Sequence, residues 1–506
     1  MFDSYGSLVK IRRNVFVEVA KLAYEGGDYS RIEEIPYTML NKNAKKNGQA
    51  KYRESIFLER AIVAERLRLA IGLPVRSMDE HSPIATGIEE ATRTSRYYEP
   101  PLINIIDFAC NACPENSYVV TDVCAGCLAN PCANVCPKNA ISIVNGKSII
   151  DQNLCIKCGK CKDVCPYNAI VHRERPCQKA CGMNAIESDE FGKAKINYEK
   201  CVSCGMCLVN CPFGAIADKS QIFQVIQAIK NEEDVYAIMA PAFVGQFGPR
   251  INLKTIDDAM GQLGFKGVYE VSIGADLCTI EEANDYLKNV PERLKFMGTS
   301  CCPSWSVMAK TEFPEFKENI SMALTPMVLT ARLIKKKFPK AKIVFVGPCS
   351  AKKLEASRRS IRSDVDFVLT FEELMGMFIA KKVDFNNLKE KPLENVTSAD
   401  GRGYAVAGGV AEAVVNACKE IAPDREIKVK AVQGLAECRQ MLKDAKKGKY
   451  DGYLLEGMAC PFGCSSGAGT IAQSAKTKGM VALSQKETPL KHATESIYKD
   501  KLNELD

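Results

Sequence analysis

The chain has 506 residues, enough for about two to four domains with substantial cores. Its 46% hydrophobic and 25% charged residues are ordinary globular values, and the net charge of +7 is a mild excess that favours an acidic protein partner. No uncharged apolar run approaches the roughly 18 residues of a membrane span, and no basic stripe with interleaved aromatics points to nucleic acid.

The first 19 residues show no apolar core ahead of a small-residue cleavage site. A cytoplasmic protein is expected, and in a reducing compartment its 24 cysteines read as metal ligands or catalysts rather than disulfides. Residues 1–105 hold no cysteine and read as a helical N-terminal segment with a structural role. Within it Ser55–Leu73 has helix formers and apolar positions at helical spacing, and Gly72 and Pro74 stop it. Residues 106–220 hold sixteen cysteines among short spacers. From 233 to 506 short β-rich runs alternate with loops and helical stretches: Val235–Ala240, Val268–Ile273, Leu294–Met297, Ile343–Val346, Lys428–Val432 and Tyr453–Leu455. This alternation predicts an α/β domain, whose ligands bind at the carboxyl ends of the strands. Three of the runs lead into Cys301/Cys302, Cys349 and Cys460. The chain stops about 40 residues after Cys464, so no appended C-terminal domain is expected.

The pattern C-x2-C-x2-C-x3-C-P fits Cys155, Cys158, Cys161 and Cys165, and again Cys201, Cys204, Cys207 and Cys211. Cys124, Cys127, Cys132 and Cys136 follow it with two inserted residues. This is the bacterial ferredoxin motif: three close thiolates grip one cubane, and the fourth ligates the other cluster of a pair. Zinc ribbons have no use for the third close cysteine or the C-P step. Cys110, Cys113, Cys177 and Cys181 read as a fourth motif split by the 124–165 unit, because the sequence after Cys181 repeats the tail that follows the other motifs. The predicted arrangement is an α+β double ferredoxin-like domain with four 4Fe-4S clusters. Exchange of the fourth ligand gives Cys124/Cys127/Cys132/Cys165 and Cys155/Cys158/Cys161/Cys136 for the inner unit. The outer sets are Cys201/Cys204/Cys207/Cys181 and Cys110/Cys113/Cys177/Cys211.

Three motifs in the second half, Thr299–Trp305, Gly347–Glu355 and Glu456–Cys464, resemble TSCCP-x-W, M-P-C-x2-K-x2-E and E-x-M-x-C-x3-C of the iron-only (FeFe) hydrogenases. Flanking segments at 274–282, 364–371 and 408–410 are also similar to that family. The resemblance implies two parallel-sheet lobes around an H-cluster, a 4Fe-4S cubane joined to a two-iron subcluster with CO, cyanide and azadithiolate. It implies Cys302, Cys349, Cys460 and Cys464 as cubane ligands, Cys464 also bridging to the two-iron unit. Lys352, Met458, Pro241, Ala242 and Pro348 would surround that unit, Lys352 donating to a cyanide. Protons would pass through Cys301, Glu282, Ser321 and Asp285. The family's outermost arginine falls on Asn289, with Lys288 a neighbour. A reversible 2H⁺ + 2e⁻ to H₂ reaction follows, with ferredoxin or a flavodoxin-like carrier as electron partner, hydrogenase maturation proteins as assembly partners, and a monomer or homodimer as the assembly state.

Departures from the family pattern are Gly347 for methionine, Ala242 for serine, Met327 for glutamine, and Ala468 within a glycine run; they resemble the group B members. Cys278, Cys418 and Cys438 match no ligand motif and read as buried inert thiols, and His81, His172 and His492 form no ligand pattern. The alternatives are a hydrogen sensor, a hydrogenase-like iron–sulfur assembly protein without turnover, and a pure polyferredoxin. Cys301 and Lys352 argue against the assembly protein, and the α/β scaffold of 233–506 argues against the polyferredoxin.

Overall fold

The computed structural model describes residues 6–41, 50–95, 99–357, 363–391 and 396–505. Residues 1–5, part of the reading against a leader, lie outside the described residues.

The apolar runs of the second half form two parallel sheets. One has the order Gly267–Glu270, Val235–Met239, Lys342–Gly347, Phe367–Thr370, and the other Phe296–Gly298, Tyr453–Met458, Lys428–Gln433. The central strands are almost wholly buried, as continuous apolar sequences covered on both faces should be. Lys428–Gln433 (KVKAVQ) is the exposed edge, and its lysines blunt it against further pairing. Helices cross between the strands, because parallel neighbours cannot be joined by tight turns. The whole is mixed α/β.

One expected strand is shorter than the sequence suggested. Val268–Ile273 divides into the strand Gly267–Glu270 and the start of the helix Ser272–Asn289. A Cβ at Gly274 would stand 2.2 Å from the Pro326 carbonyl oxygen, so glycine lets this helix lie directly on Pro326–Lys337. A further strand, Phe367–Thr370, ends in a capping box, with Thr370 and Glu373 opening the helix Phe371–Ala380.

The N-terminal helices share the core of the first sheet. Ile56–Ile71 has Ser55 as N-cap, its side chain accepting from Leu58 N–H, and left-handed Gly72 as C-cap. Ser7–Glu25 packs on Phe371–Ala380, where Gly376 leaves room for Phe16. Arg12 and Arg13 reach Glu372 at 2.7 and 2.9 Å. Between these helices and the sheets, the strand pairs are nested as the cysteine motifs are. Ile103–Ile105 pairs with Ile216–Asp218, and inside that pair Ser117–Val120 joins Ile170–Arg173.

Candidate active site and cluster-binding cysteines

Strand ends from both sheets meet at one apolar cavity. Phe296–Gly298 delivers Cys301 and Cys302, Lys342–Gly347 delivers Pro348 and Cys349, Tyr453–Met458 delivers Cys460 and then Cys464, and Val235–Met239 delivers Pro241 and Ala242. All of these line the cavity, with Lys352 and Met458. Residues more than 200 positions apart are thus gathered as expected for the carboxyl edge of parallel strands.

Local chemistry fixes each loop. Trp305 is fully buried, donates from Nε1 to the Thr299 carbonyl at 3.0 Å, and lies flat on Gly457, where a Cβ would stand 2.3 Å from the ring. The first and third motifs therefore lock together. Glu456 accepts from Gly408 and Ala411 N–H at 2.7 and 2.8 Å, placing a carboxylate at the amino end of the helix Gly409–Ile421. Gly467 lies against Pro348, whose carbonyl oxygen would be 2.4 Å from an added Cβ.

The donor set fits an iron–sulfur group. Burial pushes the thiols of Cys302, Cys349 and Cys464 up, the last two to about 11 and about 12, and it raises Cys460 well above the usual thiol range. Backbone N–H groups of Ala459, Trp305 and Ser304 oppose this at Cys302. Lys352 is the nearby cation that opposes this at Cys302, Cys349 and Cys464, and buried thiols whose protons a metal replaces suit such a site. Among the described residues no three Cys, His, Asp or Glu side chains close on a single-ion site. The thiols stand around a void instead, as one thiolate per iron of a cluster requires.

Lys352 is buried and paired with Glu355 at 2.7 Å. Burial pulls its pKa down, but Glu355 and the thiols of Cys349 and Cys301 more than offset this, so it stays charged against an apolar cavity. Thr325 donates to the other Glu355 oxygen at 2.5 Å. Gly347 has a structural reason here: a Cβ would stand 2.5 Å from the Phe345 ring, which itself lines the cavity. An aromatic from one strand position occupies the room that a larger residue at 347 would need.

Behind Cys301 lies the carboxyl of Glu282, with no exposed surface. Oε1 accepts from Ser300 N–H at 2.8 Å and from its hydroxyl at 3.0 Å; Oε2 has no hydrogen-bond partner. Burial raises the carboxyl to about 7, Ser300 and Ser321 opposing. Burial raises the Cys301 thiol well above its usual range, with Glu282 the next cause. Asp285, half-buried, is raised by burial and lowered by Lys288 and Arg293. Asn289 donates to the Asp285 carbonyl at 2.8 Å and accepts from Arg293 at 2.8 Å, so an arginine four residues on stands at the outer end. Sequence reading missed Arg293, Phe345 and Tyr404, and it held Ser300 and Glu355 within its motifs without giving them a role. Tyr404 lines the cavity and bonds Thr279 at 2.7 Å. For Arg293 the available signal was its i, i+4 spacing from Asn289.

Of the accessory cysteines, Cys110, Cys113, Cys177 and Cys211 line one small cavity. Cys201, Cys204 and Cys207 lie within electrostatic reach of Cys181. Cys204 also reaches the wall of the central cavity. Gly205 permits this, since a Cβ there would stand 2.6 Å from that of Ala468. In the inner unit Cys132 and Cys161 share an apolar cluster with Cys155 and Cys165, and Cys158 is exposed. Cys278, Cys418 and Cys438 are fully buried. His172 stacks on Tyr118 and bonds Asn116, and His492 pairs with Asp400.

A family model described as the iron only hydrogenase large subunit, C-terminal domain, matches residues 233–468. Two 4Fe-4S dicluster domain models match 154–215 and 123–170. Iron hydrogenase 1 of Clostridium pasteurianum is 30% identical over 386 residues, 66% of this chain and 67% of its own length. A cytosolic Fe-S cluster assembly factor of Danio rerio is 26% identical over 290 residues, 47% of this chain and 71% of its own. A solved [FeFe]-hydrogenase of Chlamydomonas reinhardtii, 21% identical, covers 56% of this chain and 94% of that one, with a TM-score of 0.48. Among the described residues no helix is long and apolar enough to cross a membrane.

Proposed function

Since the chain belongs to the iron-only hydrogenase family, we propose that it is a working FeFe hydrogenase of the group B type, catalysing reversible formation of H₂ from two protons and two electrons. The observation that carries this reading is Cys301, a thiol beside the ligand Cys302 and on the wall of the same cavity, backed by the buried Glu282. A protein that only stores or passes electrons has no use for an acid–base pair at such a cysteine-lined cavity.

Cys302, Cys349, Cys460 and Cys464 would hold the cubane. When bound, an H-cluster supplies the redox chemistry that combines electrons with protons. The chain's own part is to orient, to exclude water and to move protons. Lys352, held by Glu355, presents a charged donor to the cavity, where a cyanide would accept it. Met458, Pro241, Ala242 and Pro348 wall off solvent. The Cys301 thiol holds a proton at Sγ, and Glu282 exchanges it at the unpartnered Oε2. A carboxyl near 7 is matched to proton transfer in either direction at neutral pH. Ser321, Asp285 and Arg293 carry the route outward.

Electrons would enter through the inner ferredoxin-like unit from a ferredoxin or flavodoxin-like carrier. They would leave the accessory relay at the Cys201/Cys204/Cys207/Cys181 site, next to the cavity. The domain division is 1–105, 106–220 and 233–506, and the setting is cytoplasmic. The likeness to an assembly factor favours a second reading, cluster assembly without turnover. Infrared spectroscopy of the matured protein separates the two. CO and cyanide bands with H₂ turnover are expected, and their absence sinks the hydrogenase reading.

A further inference from the structure

We propose that three buried or half-buried arginines, Arg53, Arg66 and Arg175, raise the reduction potential of the Cys110/Cys113/Cys177/Cys211 site above that of the neighbouring Cys201/Cys204/Cys207/Cys181 site. The inference rests on the reading that these four thiols hold a cluster.

Arg175 is 1% exposed and lines the cavity of the four cysteines. Its Nε and Nη2 donate to the Cys113 carbonyl at 3.2 and 3.1 Å, Nη1 donates to the Glu187 carbonyl at 3.2 Å, and Nη2 also donates to the Gly192 carbonyl at 2.7 Å. Arg66, 5% exposed, donates to the Gly214 carbonyl, three residues beyond Cys211. Arg53 donates to the carbonyls of Ala109 at 3.3 Å and Phe213, and lies over the Phe213 ring. The two carbonyl loops they grip, 109–113 and 211–214, are the loops that carry three of the four cysteines.

All of these partners are neutral carbonyls. Among the described residues none of the three arginines forms an ion pair with a carboxylate. Their charge is therefore neutralised by no direct ion pair, although the buried Glu59 shares a cavity with Arg53 and Arg66, and in a low-dielectric setting one charge at short range is felt strongly. Reduction adds a negative charge to a cluster, so nearby cations favour the reduced form. The Cys201/Cys204/Cys207/Cys181 site differs. Apart from burial and hydrogen bonds, its thiols feel mainly other thiols, and the nearby Arg439 is already spent on Glu312 at 2.5 and 2.6 Å.

The test is an EPR-monitored redox titration of the whole chain carrying its clusters, with iron content measured alongside. In Arg175→Met and in Arg66→Met, the accessory cluster whose signal is lost in Cys177→Ala should become harder to reduce, its equilibrium constant falling about tenfold or more, about 59 mV for one electron. Arg175→Lys, which keeps the charge, should hold the wild-type value. Unchanged midpoints in both methionine variants with full iron content overturn the tuning. An equal drop in Arg175→Lys assigns the effect to lost hydrogen bonds and also overturns it. Cys177→Ala distinguishes the underlying reading: full iron content in that variant means that no cluster stands at the site.

Discussion

Glu282→Gln should make this protein more stable and far less active at the same time. The glutamine keeps the shape and an Oε1 that accepts from Ser300 N–H and its hydroxyl, so the packing around it is retained. What is lost is the exchangeable acid proton. A folded value of about 7 against the ordinary 4.5 means that burial disfavours the charged carboxylate. Because the folded value is raised, the native state binds the extra proton between those two values, and stability falls as pH rises through that window. At about 1.4 kcal/mol per unit, the ionised carboxyl costs about 3 kcal/mol at pH 8 and under about 1 kcal/mol at pH 5. The neutral glutamine removes this cost. The thermal midpoint of the variant, scanned anaerobically beside wild type at one rate, should therefore rise at pH 8 and hardly move at pH 5. Turnover with a reduced dye should fall by about 10² to 10⁴, the usual worth of a positioned acid–base group. Turnover within threefold of wild type would refute the relay role, and a midpoint difference independent of pH would refute the burial argument.

Cys301→Ala should keep the CO and cyanide bands of the matured protein and lose nearly all turnover, which infrared spectra and a dye assay on one sample check together. Gly457→Ala should drive a methyl group into the Trp305 ring and destabilise the chain by about 1–3 kcal/mol, read as a lowered thermal midpoint. Cys177→Ala should cost about four of roughly sixteen accessory irons by direct iron analysis, if each accessory site is a cubane with four thiolates.

The sequence was most legible where the chemistry is local. Ferredoxin spacing marked stretches that the 4Fe-4S dicluster models also match, 123–170 and 154–215, and the strand pair at 117–120 with 170–173 lies, along the chain, inside the pair at 103–105 with 216–218. The β-rich runs marked six of the seven strands of the two parallel sheets, most plainly the central ones, since strands buried on both faces must be apolar throughout. Less was visible where function depends on distant neighbours. Nothing around position 347 shows that Phe345 would fill the space above that glycine, because the contact is set by strand pairing and rotamer. Arg293 reaches Asn289 only through the turn that ends the helix Ser272–Asn289. Glu282 reads as one of two adjacent acids on a helix, and only the packed structure shows that it is fully buried while Glu281 borders a separate groove.

The central claim is that the cavity between the two sheets holds a complete H-cluster in service of turnover, and infrared spectroscopy on protein matured with the two-iron unit tests it most directly. The account predicts CO and cyanide stretching bands that shift when H₂ replaces an inert atmosphere. A matured protein with full cubane iron and no such bands would contradict it and leave the assembly reading in its place.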